Sequence, residues 1–260
     1  MKIAITGGSG FVGGHLCSQF RAAGHEAVAL VGFRLQGPVD EAALAGFDVL
    51  IHAAWDLTEN EDGRNVTGSI RLIDAAKRAG IGRIVFISSL SAFEGCKSRY
   101  GATKMAVERH VASVGACSVR LGFLCDDTGR GLSGSLKKLA ALPLVPLPGG
   151  GAQNLFTIWA EDLGPSFAKV IERGAGRVVN LANPEPVSLK RMMRAFGPDA
   201  KFLPFPWRLL WLPLRFAEAC GLKLKFRSDS LVSLMNQNPS PDFRLLREWD
   251  IELKSFGNGH

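Results

Sequence analysis

Thr6-Gly7-Gly8-Ser9-Gly10-Phe11-Val12-Gly13 constrains the fold of this chain more than any other stretch. It follows a short apolar run, Lys2–Thr6, that reads as a buried strand, and it opens a segment with helical apolar spacing, Gly10–Ala23, that stops at Gly24. Gly8, Gly10 and Gly13 satisfy the spacing G-x-G-x-x-G between that strand and that helix. Glycines there permit a tight turn and close backbone approach to a pyrophosphate. The helix start supplies free N–H groups and the positive end of its dipole. Gly7, Gly10 and Gly13 are therefore expected to hold a dinucleotide.

The rest of the first half repeats the alternation. Glu26–Val31, Asp48–Ala53, Arg83–Ser88 and Cys117–Leu121 read as strands, with helices over Asn65–Arg78 and Tyr100–Ser113. Strands alternating with helices predict right-handed βαβ units. The expected class is α/β, a Rossmann doubly wound parallel sheet with a small C-terminal substrate lobe. After Gly122 the pattern loosens around Pro143, Pro146, Pro148 and Gly149–Gly151; helices over Ala160–Glu172 and Ser188–Phe196 flank a strand at Arg177–Leu181. The division expected is a dinucleotide-binding core over residues 1–175, with a lobe insertion over about 123–155, and a small substrate-binding capping lobe over 176–260.

Composition narrows the class further. At 260 residues, with 47% hydrophobic and 21% charged side chains, the chain suits one large globular domain with an appended lobe. No stretch approaches ~20 uncharged apolar residues, and the N-terminus turns glycine-rich before a signal-peptide core can form, so a cytoplasmic location is expected. The five cysteines form no CxxC pair and the five histidines no HExxH, so neither a metal site nor a disulfide framework is expected.

Tyr100-Gly101-Ala102-Thr103-Lys104 carries the chemistry, and Tyr100 is the only tyrosine. Spacing of i and i+4 places phenol and ammonium on one helix face. A free phenol titrates near 10; a nearby ammonium favours the phenolate and lowers that value, which suits Tyr100 to proton transfer at a hydroxyl or carbonyl during hydride transfer. Ser88 and Ser89 end the preceding strand, where a hydroxyl can hold the same substrate oxygen. For the dinucleotide, NAD sites usually place an acid at the end of the second strand. Here that strand ends Leu30-Val31-Gly32 and Arg34 follows, which favours the 2′-phosphate of NADP over NAD.

These segments, with DVLIHAA at 48–54, NVTGSIRLIDAAKRAGIGRIVFISS at 65–89 and AEDL at 160–163, resemble the short-chain dehydrogenase/reductase superfamily. The type is extended or atypical, the NAD(P)-dependent epimerase/dehydratase family. The resemblance covers about the first 175 residues. It implies a Ser/Thr–Tyr–Lys site of Ser89, Tyr100 and Lys104. It also implies Phe11 and Val12 under the pyrophosphate, His52, Ala53 and Ala54 lining the cofactor, Lys104 on the nicotinamide ribose, and a mainly structural Asn65. Three departures stand out. Leu90 occupies the position where the catalytic Ser or Thr is expected, leaving Ser89 or Ser91 to substitute. Only ten residues separate Ser89 from Tyr100. Gln153–Phe156 lacks the arginine that sugar-nucleotide epimerases often carry there.

The net charge is +7, of which residues 190–260 hold +5. Within them lies FLPFPWRLLWLPLRFAEACG at 202–221, with Trp207 and Trp211 at i, i+4, Arg208 and Arg215 one heptad apart, and Lys223, Lys225 and Arg227 following. Lobe packing, a homodimer contact, or a weak membrane-surface contact through 202–227 all suit it, and Pro204, Pro206 and Pro213 are expected to interrupt any long helix. No nucleic-acid motif accompanies the basic residues, so the expected partner is a small-molecule substrate. The resulting expectation is an NAD(P)-dependent oxidoreductase acting on a hydroxyl or carbonyl group. The alternatives are a nucleotide- or lipid-linked sugar epimerase or dehydratase with a recycling cofactor, and a non-catalytic dinucleotide-binding scaffold or redox sensor.

Overall fold

The computed structural model describes residues 1–57, 62–222, 224 and 226–257. β1 (Lys2–Thr6) leads through the glycine turn into α1 (Phe11–Ala22), which buries Gly13, Leu16, Cys17 and Phe20 on one face. β2 (Glu26–Ala29), β3 (Val49–His52), α2 (Asp62–Arg78), β4 (Arg83–Ser89), α3 (Arg99–Ser113) and β5 (Cys117–Leu121) continue the alternation. β3 is buried at every residue, as a parallel strand covered on both faces must be. Then follow β6 (Phe123–Cys125), α4 (Gly131–Ala140), β7 (Leu144–Pro148), β8 (Asn154–Leu155), β9 (Thr157–Trp159), α5 (Leu163–Arg173) and β10 (Val178–Leu181).

The central sheet has six strands in the order β10-β5-β4-β3-β1-β2, and every pairing is parallel. The order reverses between β1 and β3, so a crevice opens at their C-terminal ends, where ligands of open α/β sheets bind. One face of the sheet packs α1 and α5 through Leu16, Phe20, Leu163 and Phe167; the other packs α2 and α3 through Leu72, Ile73, Val107 and Val111. The expected Rossmann architecture is what the chain adopts.

The remaining elements are β11 (Val187–Ser188), α6 (Leu189–Phe196), β12 (Lys201–Phe205), α7 (Trp207–Ala219), α8 (Ser228–Met235) and α9 (Arg244–Glu248). A second core joins Cys125, Val145, Leu147, Leu155 and Trp159 to Val187, Leu189, Met192 and Met193, so one lobe draws on both expected lobe segments. The boundary expected at 175/176 falls between α5 and β10, and the sheet takes strands from both sides of it. Residues near the C-terminal end also return to the main core, where Phe243, Leu246, Trp249 and Ile251 are buried.

The proline-rich segment differs from expectation. Pro204 lies in β12, half of a two-stranded ribbon with β7, and Pro206 is the N-cap of α7. Only Pro213 falls inside a helix, and α7 runs through it for 13 residues. Prolines are accepted on edge strands and at helix starts, so two of the three interrupt nothing. Lys223 and Lys225 lie outside the described residues.

Candidate active site

The glycine turn sits at the crevice. Gly7 adopts φ +68°, and the Gly10 N–H donates to its carbonyl at 2.8 Å. A Cβ on Gly7 would stand 2.8 Å from the Ala54 nitrogen, one on Gly8 2.5 Å from the Ala29 Cβ, and one on Gly13 2.3 Å from the Gly7 oxygen. These three glycines are demanded by the chain's own packing. Gly10 is different. It is exposed, and a Cβ there would meet only the Gly7 oxygen, at 3.0 Å. It leaves open the space in front of α1, whose N-terminus has no side-chain cap. Open space, uncapped N–H groups and a positive dipole end fit the pyrophosphate of a dinucleotide.

Phe11 and Val12 are half-buried behind this turn. The Phe11 ring packs edge-on against His15 at 5.1 Å and lies over Gly131, where a Cβ would approach it to 2.5 Å. His15 pairs with Asp126 at 2.7 Å, joining α1 to the loop before α4. Across the crevice, Ala53 and Ala54 are half-buried against Gly7, as a cofactor wall requires.

His52 does not line the site, contrary to expectation. Its side chain is fully buried, with Nδ1 2.7 Å from the Thr6 hydroxyl and Nε2 2.8 Å from the Ser69 hydroxyl. Burial, helped by the nearby Lys104, pushes its pKa down to about 3, so it is a neutral strut between β1, β3 and α2. Asn65 is structural as expected: its Oδ1 accepts from the Asp56 N–H and its Nδ2 donates to the Asp56 carbonyl, both at 2.9 Å. Arg34 is exposed in the loop after β2. The Leu35 carbonyl beside it accepts from Arg71 of α2 at 2.7 Å. Val31, at the position of an NAD-type acid, is 95% exposed.

The strand separates Leu90 from the serines on either side of it. Leu90, 5% exposed, points into the main core, and its N–H donates to the Leu121 carbonyl at 3.1 Å. It therefore occupies no site position. The Ser89 hydroxyl accepts from the Ser91 N–H at 3.2 Å and lies close enough to the Tyr100 phenol to favour its anion. The Ser91 hydroxyl is instead 2.7 Å from Ser233 on α8.

Tyr100 stands in the first turn of α3. Ser98 caps this helix through the Gly101 N–H at 3.1 Å, and Asp229 of α8 accepts from the N–H groups of Arg99 and Tyr100 at 2.8 and 2.9 Å. The phenol rises to about 12, not downward as expected, because close packing disfavours its anion and only the nearby Ser89 hydroxyl opposes that. Lys104 is 4% exposed. Its Nζ donates to the Ile87 carbonyl at 2.7 Å and lies 3.6 Å over the Trp55 ring and 5.8 Å from the Tyr100 ring centre. Burial holds its pKa well below the ordinary lysine value, partly offset by Glu108, which is itself paired with Arg120 at 2.6 Å. The ammonium thus spends its interactions on a carbonyl and an aromatic face, which corrects the expected direct effect on the phenol.

Two neighbours were not anticipated. Trp55, edge-on to Tyr100 at 6.2 Å, directly follows Ala53–Ala54, and extending the strand-end reading by one residue would have reached it. Asp229 lies 129 residues from Tyr100, and no local pattern marks it.

The NAD dependent epimerase/dehydratase family matches residues 3–121. An uncharacterised protein of Mycobacterium tuberculosis (strain ATCC 25618 / H37Rv) is 28% identical over 276 residues, which cover 97% of this chain and 28% of that protein. The chain thus spans little more than a quarter of that relative's length. A 2-alkyl-3-oxoalkanoate reductase of Stenotrophomonas maltophilia (strain K279a) is 24% identical over 74% of each chain. The structure of MoeE5 in complex with UDP-glucose and NAD superposes with a TM-score of 0.64 at 18% identity, over 90% of this chain and 97% of that one. The last likeness is one of fold.

Proposed function

Residues 3–121 match the NAD dependent epimerase/dehydratase family, and from that likeness we propose that the chain is a nicotinamide-dinucleotide-dependent oxidoreductase acting on a hydroxyl or carbonyl group of a small molecule. The dinucleotide, when bound, supplies or takes up hydride. Gly10 and the first turn of α1 hold its pyrophosphate, and Gly7, Ala53 and Ala54 wall the crevice. Tyr100, neutral at physiological pH, donates its proton to a carbonyl oxygen in the reducing direction. Ser89 holds that oxygen beside the phenol. Lys104, whose Nζ donates to the Ile87 carbonyl and lies over the Trp55 ring, would supply a cation to the ribose hydroxyls.

The observation that carries this reading is the uncapped N-terminus of α1 behind Gly10, at the same C-terminal sheet edge as Ser89 at the end of β4 and Ala53 and Ala54 after β3. A screen of carbonyl compounds and nucleotide sugars with both cofactors tests it, followed by Ser89→Ala and Ser91→Ala in the activity found. Ser89→Ala is expected to lower turnover by roughly 10- to 100-fold, the scale of an interaction made at the reacting oxygen. Ser91→Ala removes only the link to Ser233 and is expected to cost about 1 kcal/mol of stability with turnover nearly unchanged. The reverse order would move the site to Ser91.

A second reading, a sugar epimerase or dehydratase whose cofactor returns to its starting state each cycle, is favoured by the family itself and by the UDP-glucose in the MoeE5 complex. The same screen separates the two, because only net redox accumulates the altered cofactor. On cofactor choice, the exposed Val31 and Arg34 favour NADP, whereas the family description and MoeE5 favour NAD. If Arg34 meets a 2′-phosphate, calorimetry should show NADPH binding tighter than NADH, and Arg34→Ala should weaken NADPH alone by about 5- to 10-fold. Tighter NADH binding, indifferent to Arg34→Ala, would assign the site to NAD.

A further inference from the structure

We propose that the outer face of α7 docks on an anionic phospholipid membrane. Among the helices of eight or more residues with fully described burial, α7 is the one that buries none of its residues. Its two sides are nonetheless unlike. Trp207, Leu210, Trp211, Leu214, Ala217 and Glu218 are half-buried against the lobe, and Glu218 accepts from the N–H and hydroxyl of Ser228 at 2.8 and 2.6 Å. The two tryptophans of the segment therefore face inward.

The opposite side carries Leu209, Leu212 and Phe216, exposed by 56, 57 and 72%. At 100° per residue these three fall within an arc of about 60°, and Arg208 and Arg215 follow about 40° and about 60° further round. The solvent side of this helix is thus the apolar one, with a line of cations along one edge. Three large apolar side chains on one exposed face mark a binding surface.

Charge decides what covers it. A second copy of the chain stacked on this face through a two-fold axis would bring the arginine edges of both copies into the same interface, which is unfavourable. A bilayer with anionic headgroups receives leucine and phenylalanine in its acyl boundary and meets the arginines at phosphate depth. The surrounding sequence supports this sign, with net +5 over residues 190–260. At 13 residues, about 20 Å, α7 is too short to cross ~30 Å of hydrocarbon, so it lies in the interface plane.

Flotation of the full chain with phosphatidylcholine vesicles, with and without one-third phosphatidylglycerol, tests the proposal. Binding is expected to the anionic vesicles and to fall as salt rises. Leu212→Glu with Phe216→Glu should lower it at least tenfold. Arg208→Gln with Arg215→Gln should lower it by roughly fivefold per arginine on anionic vesicles, and circular dichroism should show both double variants folded, since all four side chains are exposed. No flotation, or flotation of both double variants equal to that of the unaltered chain, overturns the proposal. So does a concentration-dependent dimer in sedimentation that Leu212→Glu with Phe216→Glu dissolves while vesicles are ignored.

Discussion

Tyr100→Phe should lower turnover by roughly 10²-fold or more while dinucleotide affinity stays within about threefold, because a positioned acid/base is lost and nothing else. The phenol oxygen lies near the Ser89 hydroxyl, whereas the ring meets Trp55 edge-on at 6.2 Å. Phenylalanine keeps the ring contact. The main-chain caps from Ser98 and Asp229 do not involve the side chain, so the first turn of α3 keeps its place. The raised pKa of the phenol, about 12, sets the direction of easiest use: at neutral pH it is a proton donor, so reduction should run without a titration of this group up to strongly alkaline pH. Steady-state kinetics beside a cofactor titration checks both halves. Retention of most activity in Tyr100→Phe would remove the dyad from the mechanism.

Gly10→Asp should abolish measurable dinucleotide binding, a loss of roughly 100-fold or more, in a protein that remains folded. A Cβ at Gly10 meets only the Gly7 oxygen at 3.0 Å, so the main chain gives by a few tenths of an ångström. A carboxylate at a helix N-terminus also interacts favourably with the dipole, which offsets part of that strain. The same carboxylate occupies and charges the place where a pyrophosphate would sit. Gly13→Ala is the contrasting variant. Its Cβ would lie 2.3 Å from the Gly7 oxygen, so it should lose stability as well as binding. Thermal unfolding and cofactor titration of the two variants separate a binding glycine from a packing glycine. Full affinity in a folded Gly10→Asp would place the phosphate site elsewhere.

Much of the architecture was legible because it is written in local patterns. The glycine spacing after an apolar run marks β1 and α1, and the four further strands read from β-branched runs fall at β2 to β5. Helix stops lie at glycines with positive φ, Gly24, Gly80 and Gly115, where a side chain would be strained. The Tyr100–Lys104 spacing needed nothing beyond a helix to put both side chains on one face. Each of these depends on residues within about one or two turns of one another, and such signals survive in a bare sequence.

The remainder depends on partners far apart along the chain. Whether Leu90 or Ser89 faced the site was set by which side of β4 enters the core, and that follows from Leu121 pairing across 31 residues. The i, i+4 spacing placed Lys104 near Tyr100 but could not say that Ile87 and Trp55 would take its ammonium, or that packing would raise the phenol. His52 read as a strand-end residue beside a cofactor and became a buried strut once Thr6 and Ser69 closed on its ring. Asp229 reached α3 only when α8 packed against it. The sequence by itself determined the strand–helix alternation, the glycine turn and the residue types of the site, because short-range sterics and periodicity encode them. The tertiary structure alone decided that Leu90 enters the core, where the lysine ammonium rests and which face of α7 meets solvent, because burial and electrostatics are properties of the assembled neighbours.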